Sequence, residues 1–347
     1  MPLPQPTSTT TALVGHILKL AGQDVAVGGN LGIPVLDLEP LSTGTYVLEL
    51  SSYQIDLTHS LICDVAALLN ITPDHLERHG DLAGYAAVKK RIFHGQTEPQ
   101  VAVVCVDDEW CQRICHELED GGAQRIVPVA VGRKATGGVY VVDGILHDDT
   151  EGDDDPVIDL ADIAALPGAH NWQNAAAAFA MARVSQVPAL TIAACLRSFP
   201  GLAHRQERLA VIDGVTYVND SKATNAASTA RALDCYEPIY WIAGGRAKDG
   251  GLGPVLAMLG RVRHAFLIGE AEEAFAEELT GRNPFDGCGD LSSALSAAHE
   301  LAQSEKIEGA VVLLSPACAS FDQWPNFEAR GDAFRDQVLS FAREGGR

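Results

Sequence analysis

The strongest constraint on the fold lies between residues 65 and 93. Val65 to Ile71 form an apolar run broken only by Asn70, and the run stops at Thr72-Pro73. A run that short and that apolar predicts a strand of a buried parallel sheet. Pro73 favours extended backbone at the residue before it. Asp74, His75 and His79 sit at the break, and a polar helix carrying Lys89, Lys90 and Arg91 is expected after it. In open α/β sheets ligands bind beyond the carboxyl ends of the strands, so these side chains stand where chemistry is expected. An ordinary alternative stands beside this: Asp74 as a helix N-cap and His75 as a surface histidine.

The same alternation runs through the rest of the chain. Residues 28–34 read as a glycine-rich turn followed by a short helix, and further strands are expected at 46–54, 101–106 and 127–131, with an antiparallel excursion from 139–142 into the acidic segment. A linker is expected near Phe199-Pro200-Gly201-Leu202. Beyond it, 209–218 reads as a hairpin turning at Asp213-Gly214. Strands at 238–243, 264–268 and 310–314 then alternate with helices at 270–279, at 291–303 and from Phe327. The reading is an α/β protein of two domains. Residues 1–201 form a central mononucleotide-binding domain, truncated at its phosphate loop, with a mostly parallel sheet. Residues 202–347 form a C-terminal, doubly wound, Rossmann-like domain.

Composition narrows the partners. Against 46 acidic residues stand 25 basic ones, a net charge of -21. That argues against nucleic acid and anionic membranes, but not against a small anionic substrate met by a local basic cluster. No apolar stretch approaches a membrane span. The N-terminal stretch lacks the basic residues and apolar core of a signal peptide, which predicts a cytoplasmic location. The eight cysteines are scattered and form no CxxC pair. They read as free thiols in a reducing compartment, and Cys111, Cys115 and His116 as a helix face rather than a zinc site.

Several polar clusters exceed what packing needs. Thr9 to Leu18 read as the helix that follows a phosphate-binding loop, yet Leu3-Pro4-Gln5-Pro6-Thr7-Ser8 supply no glycine and no lysine. The chain reads as starting in the middle of a nucleotide-binding unit. Glu49 lies inside an expected strand; it either faces water on an edge or is paired or metal-bound, since a buried lone carboxylate is costly. Asn171 and Asn174 share a helix face; capping explains one, and the second suggests a base or phosphate contact. Asn219 to Asn225 put acid, base and hydroxyl groups at a strand-to-helix junction, which reads as a ligand site.

Taken together, GNLGIP (29–34), LELSSYQ (48–54), LNITPDHLERHG (69–80), YAAVKKRIF (85–93), HNWQN (170–174), HRQE (204–207), NDSKATN (219–225) and SPACASFDQ (315–323) resemble the Mur ligase family, closest to its D-glutamate-adding branch. The resemblance runs from about Thr9 to the C-terminal helix. It implies an ATP-dependent amide ligase of peptidoglycan synthesis acting through an acyl phosphate. The implied substrates are UDP-N-acetylmuramoyl-L-alanine and D-glutamate, with ATP and magnesium (Mg2+) as cofactors and a monomeric state. It implies Glu49, His75 and a carbamylated Lys89 as catalytic metal ligands. Ser8, Thr9, Asn171, Asn174, Arg205 and Asp220 would contact ATP. Lys222, Thr224, Lys248, Ser320 and Phe327 would form the D-glutamate pocket, with Asn30 near the muramoyl substrate. Two departures carry expectations of their own. The family's N-terminal UDP-gripping domain has no counterpart here, and Thr7 stands where the phosphate-loop lysine belongs, so ligation by this polypeptide alone is expected to be severely impaired. Another amide ligase of the superfamily, of the folylpolyglutamate synthase type, and a non-catalytic module that keeps only the amino-acid pocket are the alternatives.

Overall fold

A computed structural model describes residues 7–247 and 251–345, with side chains to 343. The chain divides into two compact units, Met1–Pro200 and Gly201–Arg347. Lys248 and the loop Leu3–Pro6 lie outside the described residues.

The first unit begins with helix α1 (Thr7–Leu20), then β1 (Val25–Gly29), β2 (Thr45–Glu49), α2 (Ser52–Leu57), β3 (Val65–Leu68), α3 (Leu76–His79) and α4 (Leu82–Lys90). It continues with β4 (Val101–Cys105), α5 (Glu109–Gly121), β5 (Arg125–Val131), β6 (Val139–Val142), β7 (Ile145–Asp148), β8 (Asp155–Asp159), α6 (Ala169–Val184) and α7 (Ala189–Arg197). Strands β1 and β2 form a parallel pair, and β3 to β8 form a six-stranded sheet in chain order. Pairing is parallel from β3 to β6 and antiparallel through β7 and β8. β4 shows why the parallel part forms here. All of its residues are buried; Ala102 and Val104 pack with α4 and α5, and α6 also packs against this strand. A β-branched run with both faces covered has no polar face to offer water.

The second unit contains β9 (Glu207–Ile212), β10 (Val215–Asn219), α8 (Ala226–Leu233), β11 (Ile239–Gly244), β12 (Val262–Ile268), α9 (Glu272–Leu279), β13 (Phe285–Gly289), α10 (Leu291–Glu305), β14 (Val311–Leu314) and α11 (Phe327–Gly345). Its sheet has the order β13-β12-β11-β14-β10-β9, parallel throughout except for β9. The chain leaves β10, skips one place to β11, and later fills the gap with β14. That reversal creates a crevice at the carboxyl ends of β10, β14 and β11, where the polar loops beginning at Asn219, Gly244 and Ser315 emerge. The hairpin turns at Asp213-Gly214, both at positive φ, as a tight two-residue connection requires.

Local expectations are corrected in places. The strand expected at 46–54 ends at Glu49, and Ser52–Leu57 form a helix capped by Ser51. Gly28-Gly29 are not a turn but the end of β1, paired with Leu48 and Glu49; a Cβ at Gly29 would lie 2.3 Å from the Glu49 carbonyl oxygen, so glycine is what lets the strands close there. The N-cap of α3 is His75 in left-handed geometry (φ 52°), not Asp74, whose carboxylate instead accepts from the His75 N–H. The segment Phe285–Gly289, rich in glycine and acid, forms an edge strand with no pattern to announce it. Among the described residues no helix is long and apolar enough to cross a membrane.

Candidate active site

Each unit carries a polar cluster at the carboxyl ends of its strands. In the first unit the centre is Glu49, the last residue of β2. It is 5% exposed, so the water-facing alternative fails. Its Oε1 accepts from the Thr7 hydroxyl at 2.7 Å and from Asn30 Nδ2 at 3.2 Å. Among the described residues its Oε2 is buried with no partner. A carboxylate oxygen left bare at that depth is costly unless a cation or donor completes it.

Lys89, at the end of α4, lies in the electrostatic field of Glu49, Asp74 and Cys111. Burial holds its pKa below the ordinary lysine value despite those charges. Its ammonium lies 5.4 Å from the Tyr85 ring centre. From there a ladder of rings leads to His75: Tyr85 to His79 at 5.5 Å, His79 to Tyr53 at 5.9 Å, Tyr53 to His75 at 5.0 Å. His79 also meets the Ser52 hydroxyl at 3.0 Å. The His75 side chain remains 44% exposed, beside Asp74 and Glu77. Lys90, the neighbouring lysine, points elsewhere and pairs with Glu117. Among the described residues no three His, Cys, Asp or Glu side chains converge at metal distance. A cation at the bare Glu49 Oε2 would therefore complete its shell from hydroxyls, water or phosphate oxygens. Hard oxygen donors of that kind suit magnesium.

The expected nucleotide contacts of this unit stand at the packing of α1 on α6. Ser8 and Thr9 are buried in the first turn of α1. Thr10 donates to Asn174 Oδ1 at 3.0 Å, and Asn174 donates to Asn171 Oδ1 at 3.3 Å. Asn171 reaches back to the Pro167 carbonyl at 2.8 Å. Asn174, fully buried, thus ties α6 to α1, and Asn171 holds it from the side.

The second unit is more heavily cross-linked. Asp220 follows β10 and is buried. Its carboxylate accepts from the Ser315 hydroxyl at 2.9 Å and from the Gln206 N–H at 3.2 Å. Burial pushes its pKa up to about 7, against the pull of those donors and of Arg205 and Arg231. Arg205 and Asp220 are thereby brought together. The Lys222 ammonium lies 4.9 Å from the Phe327 ring centre, and its N–H donates to the His204 carbonyl at 3.0 Å. Thr224 follows on the same loop, with its N–H on the Lys222 carbonyl. Ser320 is buried on the loop after β14, where its carbonyl accepts from Gln323 and Trp324.

Reading the sequence did not separate the groups that hold these loops from those that would meet a ligand, and it passed over Asp108 and Arg330. Asn219 shares its amide N–H groups among His204 Nδ1 at 3.1 Å, Glu207 Oε2 at 3.2 Å and the Gly331 carbonyl at 3.1 Å. Asp108 caps α5 and accepts from the Ile71 N–H at 3.1 Å, fixing the turn that carries His75. Arg330 is 1% exposed and bonds to both pocket loops. An Arg inside an amphipathic helix gives no signal by itself, whereas Asp108, after a strand and before a helix, had the spacing of a cap.

Comparison with known proteins adds three findings. The sequence profile of the Mur ligase middle domain matches residues 7–182. The chain is 54% identical over 336 residues to the UDP-N-acetylmuramoylalanine–D-glutamate ligase of Rhodospirillum rubrum, covering 96% of this chain and 70% of that protein. The enzyme of the same name from Paramagnetospirillum magneticum is 51% identical, with 97% and 73% covered. Among solved structures, MurF from Acinetobacter baumannii is similar with a TM-score of 0.69 at 20% identity, over 97% of this chain and 75% of that one. MurF from Thermotoga maritima, solved in complex with ADP, is similar with a TM-score of 0.65 at 16% identity, over 96% and 78%.

Proposed function

The chain belongs to the Mur ligase family, and we propose that it is an ATP-dependent ligase joining D-glutamate to UDP-N-acetylmuramoyl-L-alanine in peptidoglycan synthesis. The single observation that carries the substrate assignment is the identity of about half of all residues, across almost the whole chain, to ligases named for that reaction. The fold agrees with other ligases of the pathway. Its ligands are then diffusible small molecules, its location cytoplasmic and its working state a monomer. The first unit is the ATP-binding domain and the second the amino-acid-binding domain.

Chemically, a substrate carboxylate oxygen attacks the γ-phosphorus of ATP and ADP leaves. The amine of D-glutamate then attacks the acyl carbon, loses a proton, and phosphate departs. Magnesium, when bound, offsets the phosphate charge that builds up during the first step. Glu49, with its bare Oε2, and His75 are the residues to hold it. Lys89 suits the role only after modification. Burial favours its neutral amine, and a neutral amine adds to carbon dioxide, giving a carbamate and releasing one proton. That exchanges a repelling cation for an oxygen ligand. Thr7 and Asn30 hold the Glu49 carboxylate in place from its other oxygen. In the second unit Arg205 and Asp220 serve ATP, while Lys222, Thr224, Ser320 and Phe327, with Lys248, serve the amino acid. Two ammonium groups and two hydroxyls match a dicarboxylate.

The test is phosphate release by this chain with ATP and magnesium, with each candidate acid and amino acid omitted in turn. Release that needs both UDP-N-acetylmuramoyl-L-alanine and D-glutamate supports the assignment. Release driven by a folate acceptor and L-glutamate would move the chain to the folylpolyglutamate type. Even where ligation is slow, calorimetry should detect D-glutamate, because its pocket rests on the second unit. A carbon-13 carbamate resonance under labelled bicarbonate, lost in Lys89→Arg, tests the modification.

A further inference from the structure

Arg330 is the most deeply buried cation among the described residues of the second unit; no described carboxylate pairs with it directly, and Asp322 acts on it only through its field. Its Nε donates to the Ser221 hydroxyl at 3.0 Å. Its Nη2 donates to the Ser221 carbonyl at 2.9 Å and to the Cys318 carbonyl at 3.0 Å. Ser221 in turn donates from its hydroxyl to the Phe327 carbonyl at 2.8 Å. Among the described residues Nη1 is buried without a partner, and a Cβ built on Gly245 would lie 3.1 Å from it. One guanidinium therefore touches the loop after β10 and the loop after β14, and lies under the loop after β11. Burial pulls its pKa down to about 10, so it stays charged at neutral pH.

A site serving stability alone would hold an apolar side chain of that size. Burying an arginine without a carboxylate is costly, and apolar replacements of buried charges are often neutral or stabilising. Its three bonds instead fix two loops against each other. Lys222 follows Ser221, and Ser320 lies two residues beyond Cys318. We propose that Arg330 is a positioning residue for the amino-acid pocket, holding the Ser221–Lys222 loop and the Cys318–Ser320 loop in register so that they meet the two carboxylates of the substrate together. The proposal rests on the D-glutamate reading for its ligand, but the clamp itself can be tested without ligand.

The experiment compares the full chain with Arg330→Lys and Arg330→Gln. Amide hydrogen exchange of ligand-free protein should accelerate in 219–225 and 315–321 together, while β12 and α10 keep their protection. Calorimetry should show D-glutamate affinity falling about tenfold to a hundredfold, the cost of one or two misplaced charge-assisted bonds. The lysine variant, which keeps the charge but not the fork, should recover part of the glutamate affinity and little of the loop protection. Loosening of only one loop, loosening that spreads through β12 and α10, or unchanged exchange overturns the proposal. Should the unaltered chain bind no D-glutamate, the function assigned above fails while the exchange data still decide on the clamp.

Discussion

The two polar clusters differ in how far they are finished. Around Asp220 the loops are tied to one another by Ser315, Gln206, Asn219 and Arg330, with Arg330 Nη1 left bare among the described residues. Around Glu49 one carboxylate oxygen stays bare and His75 stands on an exposed left-handed residue. The first arrangement is preorganised for a ligand whose shape is fixed, such as an amino acid. The second is held ready for an ion that brings its own water and phosphate oxygens, as magnesium does.

If that contrast is right, removing a tie should hurt the finished cluster most. Asn219→Leu strips three acceptors and should cost about 4 kcal/mol in urea unfolding; a loss under about 1 kcal/mol would show the knot to be decorative. Asp220→Asn probes the same cluster through pH. Because the folded pKa of Asp220, about 7, lies above its unfolded value, the folded chain binds the extra proton and loses stability as pH rises from about 4 to 7. The asparagine variant should therefore gain on the parent across that window, by about 4 kcal/mol on the plateau above pH 7. A gap in melting temperature that shrinks with rising pH would reverse the assignment. At the unfinished cluster the effect should appear only with the ion. Glu49→Gln should leave the ligand-free melting point nearly unchanged, yet abolish the roughly 2.7 kcal/mol that magnesium contributes at a hundred times its Kd. The smallest effect is Ala317→Gly: Ala317 sits at φ 59° in the pocket loop, and glycine should relieve at most about 1 kcal/mol.

Much of the architecture was legible because it depends on local pattern. The strand expected at 65–71 exists as Val65–Leu68, the excursion after 139 is antiparallel, and the hairpin turns at Asp213-Gly214. What escaped depended on distant pairing. Gly28-Gly29 read as a turn until Leu48 and Glu49 drew them into a strand. Phe285–Gly289 is a strand only because β12 lies beside it. At the site, residue types were visible in GNLGIP, NDSKATN and SPACASFDQ, but not who holds them. That Thr7 would bond to Glu49, 42 residues away, is a property of the folded chain, and so is the reach of Arg330 from α11 to Ser221.

The alanine-rich helix α6 has a consequence for what this sequence can become. Ala175 to Ala178, Ala180 and Ala182 are all fully hidden, as is Phe179 between them. Such a helix has no outward flank over that stretch, and its closeness to the strands depends on side chains one methyl long. Larger residues would wedge layers apart, and glycine would weaken the rod. Drift in this gene should therefore bypass the middle of α6, leaving it as quiet under laboratory mutagenesis as the motif loops while touching no ligand at all.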